Sequence, residues 1–466
     1  MAIQGLNTAY TGIRAAQAAI ETISHNIANM SVEGYTRQRV ELGSVYPFES
    51  PVGLIGTGVD VMDIHRTRER LLDERTRAES GRLGYFESRF ELLSLAEDRL
   101  GQLDNAIDSA LTEVFSQLED LAMQPDSAPI RTAVLGSMEA LATRMRETVS
   151  GITQLRTETL IRIDAQGRQF NDTIAEIARL NGEIAGLSGA GAANDLQDQR
   201  DILIDQLSRG LGVRTVDMDN GMVRVSLNGL SLVDGKEYVQ LGYDPITGAI
   251  THPDVGGNPV MVGGEIGGLK QFLDQDLVAL LARFDTLASD IATEFNAQNA
   301  LGIVQDGVTP NAFVTGGDLF DASGGAAAFN VVATAGREIA AALPPAGFVD
   351  GDVIDPPPSF DGRNVQALAD LRTKVLLDGR TLNEQFRDLV ANHGVLTRQA
   401  AQQTVGQDVL HAATNRAREN QHGVDLNEEL TLMIAHQRAL EASSRVLTTM
   451  DEVLSTLIHS TGIVGR

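Results

Sequence analysis

Apolar residues near the N-terminus recur at alternating steps of three and four, which is the spacing of one face of an α-helix. The members of this stripe are Leu6, Ala9, Ile13, Ala16, Ile20, Ile23 and Ile27. Asn29 and Gly34 follow it and supply helix-stop and turn chemistry. The pattern predicts an amphipathic helix with a heptad seam that ends near Asn29.

A second stripe, at the C-terminal end, repeats every seven residues. Asp425 precedes it and Glu428 follows three positions later, which is a capping-box arrangement, while Gly462 marks the expected end. The stripe consists of Leu426, Met433, Leu440, Leu447 and Leu454, widened by Leu430, Met450 and Leu457. We expect a long helix whose seam packs against the other terminal helix or against a copy of the chain.

Between the ends, two further stripes predict a pair of long helices. One runs from Leu100 to Leu121 and the other from Met138 to Leu187, and Pro125 interrupts the pattern between them. A short turn at Pro125 favours an antiparallel arrangement. Additional helical spacing is present at about 193–208, 269–291 and 365–420.

The middle of the chain changes to strand and turn patterns. Apolar and polar residues alternate over 223–227, directly after the hairpin-turn sequence Asp219-Asn220-Gly221. Asp234-Gly235 and Thr247-Gly248 mark further turns. Residues 302–362 are rich in Gly, Ala, Pro and Asp, and they predict a small irregular or β module.

These patterns predict a mainly α fold with β insertions. It combines terminal coiled-coil helices, a long-helix bundle domain and small β-rich outer domains, and the discontinuous domains bring the N- and C-termini together. The expected units are 1–33 with 425–466 as the terminal coiled coil, 34–205 with 262–301 and 362–424 as the helical bundle, 206–261 as a β-rich outer domain, and 302–361 as a small irregular or β insert.

Composition removes several classes of function. The 466 residues include 37 Lys+Arg and 63 Asp+Glu, so the net charge of −26 disfavours nucleic acid and membrane surfaces as partners. The absence of Cys excludes disulfides, thiolate metal sites and Cys nucleophiles. Residues 201–364 carry 22 acidic and 8 basic side chains, whereas the first 30 residues carry only Arg14 and Glu21. Weakly charged ends suit packing against other helices, and the acidic middle suits solvent.

Catalytic and metal-binding motifs are missing from the sequence. The eight His residues do not form H-E-x-x-H, and there is no G-x-G-x-x-G, P-loop or G-x-S-x-G. Asp217 and Asp219 resemble the start of a calcium loop, but the Gly comes one position early and position twelve is not Glu. We therefore expect no catalytic residue, no cofactor and no metal. An enzyme using carboxylates of 201–364, such as a glycosidase, and an adhesin displayed by the insert are the alternatives from other classes.

The sequence predicts neither a membrane-spanning segment nor a cleavable secretory signal. No apolar run approaches the roughly 18 residues that a membrane span needs. The N-terminus lacks the basic start and continuous apolar block of a cleavable secretory signal.

Short motifs at both ends resemble the bacterial flagellar rod, hook and hook-associated protein family. The N-terminal motifs are Asn26-Ile27-Ala28-Asn29, Gly34-Tyr35-Thr36-Arg37-Gln38, and Gly56 to Val61 followed by Ile64-His65-Arg66. The C-terminal motifs are Gly423 to Glu429, Gln437, Ala442-Ser443, Arg445-Val446-Leu447, Met450 and Leu454. Internal blocks are similar to hook-associated members that join hook to filament, namely Asn194-Asp195-Leu196, Gln199-Arg200-Asp201, Leu207-Ser208 and Leu232 to Gly235.

The resemblance implies a structural subunit of the extracellular flagellum, not an enzyme, that lies at the hook–filament junction and is required for filament assembly. It implies export through the flagellum-specific type III apparatus without a cleavable signal peptide. The implied partners are copies of the chain, the hook protein, the second hook–filament junction protein, the flagellar cap protein and an export chaperone at the C-terminal helix. Other axial proteins (the second junction protein, flagellin or the hook protein) are the alternatives within the family.

The predicted assembly interface consists of the two terminal stripes and four motif residues, Asn26, Asn29, Gly34 and Tyr35. The seams have no sequestered partner that the sequence reveals. We therefore expect the ends to be largely unfolded in the free monomer.

Overall fold

Long helices dominate the computed structural model, which describes residues 2–50, 53–187, 191–377 and 379–461. The helices are α1 (Ala2–Asn29), α2 (Arg70–Met123), α3 (Ala128–Gly186), α4 (Asn194–Leu211), α5 (Gly264–Gln271), α6 (Leu277–Ala300), α7 (Arg363–Asp370), α8 (Leu382–His422) and α9 (Leu426–Thr461). Both terminal helices are present as predicted. The expected stop at Gly462 lies outside the described residues.

Short strands connect the helices and form small antiparallel sheets. They are β1 (Gln38–Ser44), β2 (Phe48–Ser50), β3 (Gly53–Ile55), β4 (Val59–Arg66), β5 (Arg214–Asp217), β6 (Val223–Leu227), β7 (Leu230–Asp234), β8 (Glu237–Tyr238), β9 (Gly242–Tyr243), β10 (Ile250–Thr251), β11 (Ile303–Gln305), β12 (Phe313–Thr315), β13 (Phe320–Asp321) and β14 (Asn330–Val331). The fold class is mainly α with β insertions, as predicted.

The bundle is built on α2 and α3, which are joined by a short turn around Pro125. The side chains of Val114, Met138 and Ile152 are completely buried, as the two predicted stripes require. Helix α8 packs along α2. His393 of α8 contacts the Leu93 carbonyl oxygen at 3.0 Å through its Nε2.

The four-stranded antiparallel sheet β5–β6–β7–β8 shares the apolar core of the bundle. The predicted turn before Val223 joins β5 to β6, and Asn220 adopts a left-handed conformation there with φ of 58°. Asn181 of α3 donates from Nδ2 to the carbonyl oxygens of Val223 at 2.7 Å and Gly235 at 2.8 Å. The core is therefore continuous between sheet and bundle, and the division into four units stays a prediction.

The segment 302–361 contains β11–β14 and is attached to the bundle by contacts between aromatic rings. Phe295 of α6 lies 5.8 Å from Phe115 and 5.4 Å from Phe320 between ring centroids, and Phe320 stacks on Phe329 at 5.1 Å. A second, smaller apolar cluster forms within the segment around Ile303, Phe313 and Ala342. The expected irregular or β character of this segment agrees with the strands found.

Helix α8 begins with a capping box that the sequence reading did not identify. The Thr381 hydroxyl accepts from the Glu384 backbone N–H at 3.3 Å, and the Glu384 carboxylate accepts from the Thr381 backbone N–H at 2.8 Å. These two bonds satisfy donors that a helix start leaves unpaired. None of the helices among the described residues is long and apolar enough to cross a bilayer.

Candidate assembly interface

The terminal helices α1 and α9 pack against each other as an antiparallel pair. Gly5 lies against Met450 and Gly12 against Ser443, so a step of seven along α1 matches a step of seven back along α9. A Cβ atom added at Gly5 would lie 2.9 Å from Met450 Cε, and one added at Gly12 would lie 2.9 Å from Ser443 Oγ. The two glycines therefore let the side chains of Met450 and Ser443 lie close to the backbone of α1.

The predicted N-terminal stripe divides into two lines on α1. Ala9, Ala16 and Ile23 are buried, and they recur at steps of seven. The remaining members are half-buried and also recur at steps of seven: Leu6, Ile13, Ile20 and Ile27. The second line is thus an apolar edge of the helix pair that the chain itself covers only in part.

The predicted C-terminal stripe is similarly divided on α9. Its half-buried members are Met433, Leu440, Leu447, Met450 and Leu454. Leu426, Leu430 and Leu457 are exposed, together with the neighbouring side chains of Ile434, Val446, Val453 and Ile458. The pair therefore keeps a large apolar surface in contact with water, which a monomeric protein seldom does without an interaction partner.

A polar cluster that is largely buried, apart from the half-exposed Glu428, joins this helix pair to the strands that follow α1. We call it the anchor cluster, and it consists of Asn26, Tyr35, Arg37, Gln38, Glu428 and Glu429. Asn26, which is 1% exposed, donates from Nδ2 to the Gln38 carbonyl oxygen at 2.9 Å and to Glu429 Oε2 at 3.1 Å. Its Oδ1 accepts from the Tyr35 hydroxyl at 2.7 Å and from the Gln38 N–H at 2.9 Å. The predicted residues Asn26 and Tyr35 are thus brought together.

Arg37 supplies the positive charge of the anchor cluster. Its Nε donates to Glu429 Oε1 at 2.7 Å and its Nη1 donates to Glu428 Oε2 at 3.0 Å. Burial opposes the charged form, but the two carboxylates outweigh it and raise the pKa of the Arg37 guanidinium. The anchor cluster thereby holds the start of α9 against the chain that leaves α1.

A capping box consists of two reciprocal hydrogen bonds between the N-cap residue and the residue three positions later. At the start of α9 the N-cap side chain makes its hydrogen bonds, but the Glu428 side chain bonds elsewhere. Asp425 Oδ1 accepts from the backbone N–H groups of Asn427 at 2.8 Å and Glu428 at 3.2 Å, as an N-cap does. The Glu428 carboxylate instead turns toward Arg37 and Arg39. Two guanidinium groups attract the carboxylate more strongly than one backbone N–H.

An arginine–aspartate network connects the same strands to α4. Asp198 accepts from the Thr36 backbone N–H at 2.9 Å and forms an ion pair with Arg66 at 2.7 Å. Arg66 also contacts Asp201 at 2.8 Å, and Arg68 pairs with the same carboxylate. These ion pairs link the end of β4 and the residues just after it to one face of α4.

Burial and charge act in opposite directions on the carboxylates of this network. Burial would raise the pKa of Asp201, but Arg68, Arg66 and Arg77 together hold that pKa well below its usual range. At Asp198 burial is the stronger influence, and the pKa is raised despite the ion pair with Arg66. Asp201 is therefore the group whose ionisation the network stabilises.

The end of α8 also meets these elements. The His422 carbonyl oxygen accepts from the Arg37 N–H at 2.9 Å, and His422 Nε2 accepts from the Glu69 N–H at 3.3 Å. Burial lowers the pKa of the His422 imidazole, although Asp73 opposes the shift. A neutral ring is what acceptance of a backbone N–H requires.

Two predicted residues lie at the turn between α1 and β1. Asn29 is half-buried and donates from Nδ2 to the His25 carbonyl oxygen at 3.0 Å. Gly34 has φ of 77°, and a Cβ atom there would lie 2.5 Å from Ile202 of α4. Gly34 is thus required both by the backbone conformation and by the close approach of α4.

Three family models match separate parts of the chain. Residues 93–320 match the flagellar hook-associated protein FlgK helical domain, residues 420–459 match the flagellar basal body rod FlgEFG protein C-terminal, and residues 6–36 match the flagella basal body rod protein. Flagellar hook-associated protein 1 of Bacillus subtilis is 26% identical over 99% of this chain and 99% of the relative. The protein of the same name from Salmonella typhimurium is 30% identical over 65% of this chain and 57% of the relative.

The chain is similar to flagellar hook-associated protein 1 along nearly its whole length. A solved structure, titled the flagellar hook junction protein FlgK from Burkholderia pseudomallei, has the same fold, with a TM-score of 0.63 and 18% identity over 75% of this chain and 100% of that one. These similarities support a structural role for the chain in the flagellum, an exported extracellular structure, and the relatives are structural proteins and not enzymes.

The charges around the anchor cluster are engaged in ion pairs with one another. A cleft of about 470 Å³ beside the cluster is lined by Arg68, Arg77, Asp201 and Asp205. Arg77 donates to Asp205 at 2.6 Å, and Arg68 pairs with Asp201. Within the described residues there is no group of three or more His, Asp or Glu side chains that could hold a metal ion. This cleft is thus a structural joint between elements.

Several residues of the anchor cluster and of the arginine–aspartate network were missing from the predicted interface. Arg37, Gln38 and Glu429 were recognised only as motif letters. The acidic face of α4 went unnoticed, although Asp195, Asp198, Asp201 and Asp205 follow helical spacing. Basic residues at 66, 68 and 77 provide the complementary pattern, so charge spacing was the signal that could have found this contact.

Proposed function

We propose that this chain is a subunit of the junction between the flagellar hook and filament, and that it is required for filament assembly. It associates with copies of itself through the terminal helices α1 and α9. The proposal is supported by the relatives' names and by one feature of the structure above all: the antiparallel helix pair retains apolar edges in water. When the edges of neighbouring copies pack against each other, the burial of apolar surface holds the subunits together, and no covalent bond is made or broken.

The proposal also names the individual flagellar proteins that the subunit contacts. In the flagellum the subunit contacts the hook protein on one side and the second junction protein on the other. During assembly it also contacts the flagellar cap protein. Before export its C-terminal helix is held by a chaperone, and export proceeds without signal cleavage. Units 1–33 with 425–466 pack inward. Segments 206–261 and 302–361, which together hold 14 acidic and 5 basic side chains, face solvent.

Deletion of the reading frame tests this function directly. Cells should still make hooks but release filament protein into the medium, and a plasmid copy should restore filaments. Filaments of normal length on the deletion strain would refute the junction role.

Two substitutions test the role of the terminal helices. Ile20→Asp places a charge on the half-buried edge of α1, and Leu447→Asp places one on α9; each charge must lose its hydration when the edge packs. Incorporation into flagella should fall at least tenfold, while the bundle keeps its thermal transition. Ile161→Asp on α3 is the matched control, because Ile161 is 65% exposed. Normal incorporation of both edge variants would show that other surfaces drive assembly.

A further inference from the structure

A second cleft lies between the arginine–aspartate network and the hairpin β5–β6. Its volume is about 270 Å³, far more than one water molecule occupies. It is lined by Arg70 at the start of α2, by Gln197 and Arg200 of α4, and by Gly221 at the turn of the hairpin. We call this space the hairpin cleft, and three elements that are distant in sequence meet around it.

Arg200 is a buried cation with an incomplete set of hydrogen bonds. The residue is 3% exposed, and its Nη1 donates to Asn181 Oδ1 at 2.9 Å and to the Gly221 carbonyl oxygen at 2.7 Å. Its Nε is also buried, yet it has no hydrogen-bond partner among the described residues. An unpaired buried donor is costly, and more so when it is charged. A ligand in the hairpin cleft that accepts from Nε is therefore favoured.

Arg200 also lacks a carboxylate partner. Arg66, Arg68 and Arg77 each form an ion pair with an aspartate of α4, but no ion pair between described residues includes Arg200. Burial lowers the pKa of the Arg200 guanidinium to about 10; Asp201 opposes the shift, whereas the three neighbouring arginines increase it. An anion in the hairpin cleft offsets this local excess of positive charge.

Gln197 places a side-chain amide beside Arg200. It lies three positions before Arg200 on α4, so the two side chains share a face of the helix. Its Nε2 lies 3.3 Å from the place that a Cβ atom of Gly221 would take, which puts the amide next to the turn of the hairpin. The NH₂ group of Gln197 can therefore donate to an oxyanion that is bound at Arg200.

Arg70 adds a positive charge at the rim of the hairpin cleft. Its side chain is 68% exposed and lies 3.6 Å from Glu74 and 3.8 Å from Asp217, beyond the length of a hydrogen bond. Five guanidinium groups and four carboxylates line the cleft, which leaves an excess of one positive charge. This balance suits one small anion, whereas the carboxylates would repel an extended polyanion.

We propose that the hairpin cleft binds one small tetrahedral oxyanion, phosphate or sulfate, which accepts from Arg200 Nε and Gln197 Nε2 and pairs with Arg70 at the rim. Arginine suits this task because its fork of donors matches the oxygens of a phosphate group. The bound ion links α2 to α4, and it fixes the hairpin through the bond from Arg200 to the Gly221 carbonyl oxygen. This site does not depend on the junction function.

Equilibrium dialysis of the purified full-length protein against labelled inorganic phosphate tests the site. At pH 7 and fixed ionic strength, binding should saturate at one phosphate per chain. Sulfate should displace the phosphate, whereas chloride at the same ionic strength should not. The absence of saturable binding would overturn the proposal. Displacement by chloride as effective as displacement by sulfate would show general charge screening and would overturn it too.

Substitutions assign the bound ion to this cleft. Arg200→Gln should weaken phosphate binding at least tenfold. Arg70→Gln and Gln197→Ala leave the bond from Arg200 to Gly221 in place, and each should weaken binding about threefold. Arg144→Gln on α3 is the matched control, because the side chain of Arg144 is 52% exposed, and it should bind phosphate as the unmodified chain does. Unchanged binding in the three cleft variants would place the ion elsewhere and refute the assignment.

Hydrogen exchange provides a second readout on the same proteins. In phosphate at a hundred times the measured dissociation constant, amides of 219–223 should exchange about a hundredfold more slowly, because opening of the hairpin releases the ion. Amides of β11 and β12, in the segment 302–361, should not change. Equal slowing along the whole chain is the effect of a salt that is excluded from the protein surface, and it would contradict an ion bound in the hairpin cleft.

Discussion

Replacement of Glu429 by Gln should loosen the terminal helix pair from the rest of the chain while the bundle stays folded. Glu429 is 1% exposed, and Gln has nearly the same shape, so the substitution removes charge without creating a cavity. The amide can still accept a hydrogen bond from Asn26. The change therefore isolates the ion pair between Glu429 and Arg37.

The magnitude follows from the burial of both partners. Arg37 has a side-chain exposure of 7%, and its Nη2 lies 2.6 Å from Glu429 Oε1. Removal of one partner from a buried pair costs about 3–5 kcal/mol. Arg37 keeps the half-exposed Glu428, so we expect a loss of about 2 kcal/mol, which corresponds to about a thirtyfold change in the opening equilibrium.

Hydrogen exchange of the full-length chain measures this change by region. Amides of β1 and of the first turns of α9 should exchange about thirtyfold faster in Glu429→Gln, whereas those around Phe115 and Met138 should be unchanged. Glu452→Gln, an exposed position on α9, is the control. If β1 and α9 exchange at the unmodified rate in Glu429→Gln, the anchor cluster does not hold the terminal helices.

Two further outcomes are expected. The depressed pKa of Asp201 means that its ion pairs stabilise the fold fully above about pH 4, the unfolded-state value, and that this stabilisation is lost as the pH falls further. The unfolding free energy from denaturant titration should fall below pH 4, and Asp201→Asn should flatten that fall; an unchanged slope would contradict the assigned role. Gly12→Leu should separate α1 from α9 and speed amide exchange in both helices, because even a Cβ atom there lies 2.9 Å from Ser443. The same substitution combined with Ser443→Gly should recover part of the protection, and equal exchange in all three chains would argue against the close seam.

The helices were predictable because their causes are local. Heptad spacing identified α1 and α9, and Asp425 was recognised as an N-cap, since three to seven neighbouring residues determine such features. The turn at Asn220 was predictable for the same reason, because few residues tolerate its left-handed backbone. The start of α8 at Leu382, by contrast, is fixed by the capping box of Thr381 and Glu384, which the sequence prediction did not include.

The contacts of the interface were less accessible to sequence reasoning. A search for apolar stripes selected Leu6 and Ile13, whereas the close contacts of the seam involve Gly5 and Gly12 beside them. Glycine carries no hydropathic signal, so its role in close packing appears only when the partner helix is known. The free-monomer disorder expected for the ends stays a prediction, and the pairing of α1 with α9 gives each seam a partner within the chain.

The hydrogen bond between Asn26 and Glu429 joins residues that are 403 positions apart. In an unfolded chain, closure of a loop of that length costs about 5 kcal/mol of entropy. A folded bundle removes most of this cost, because it already brings Glu69 within 3.3 Å of His422. We therefore expect a fixed order of events in which the bundle forms first and the terminal pair last, and pulse-labelled hydrogen exchange should protect α2 and α3 before α1. Helix α1 therefore gains its partner within the chain only after residues 426–461 have been synthesised.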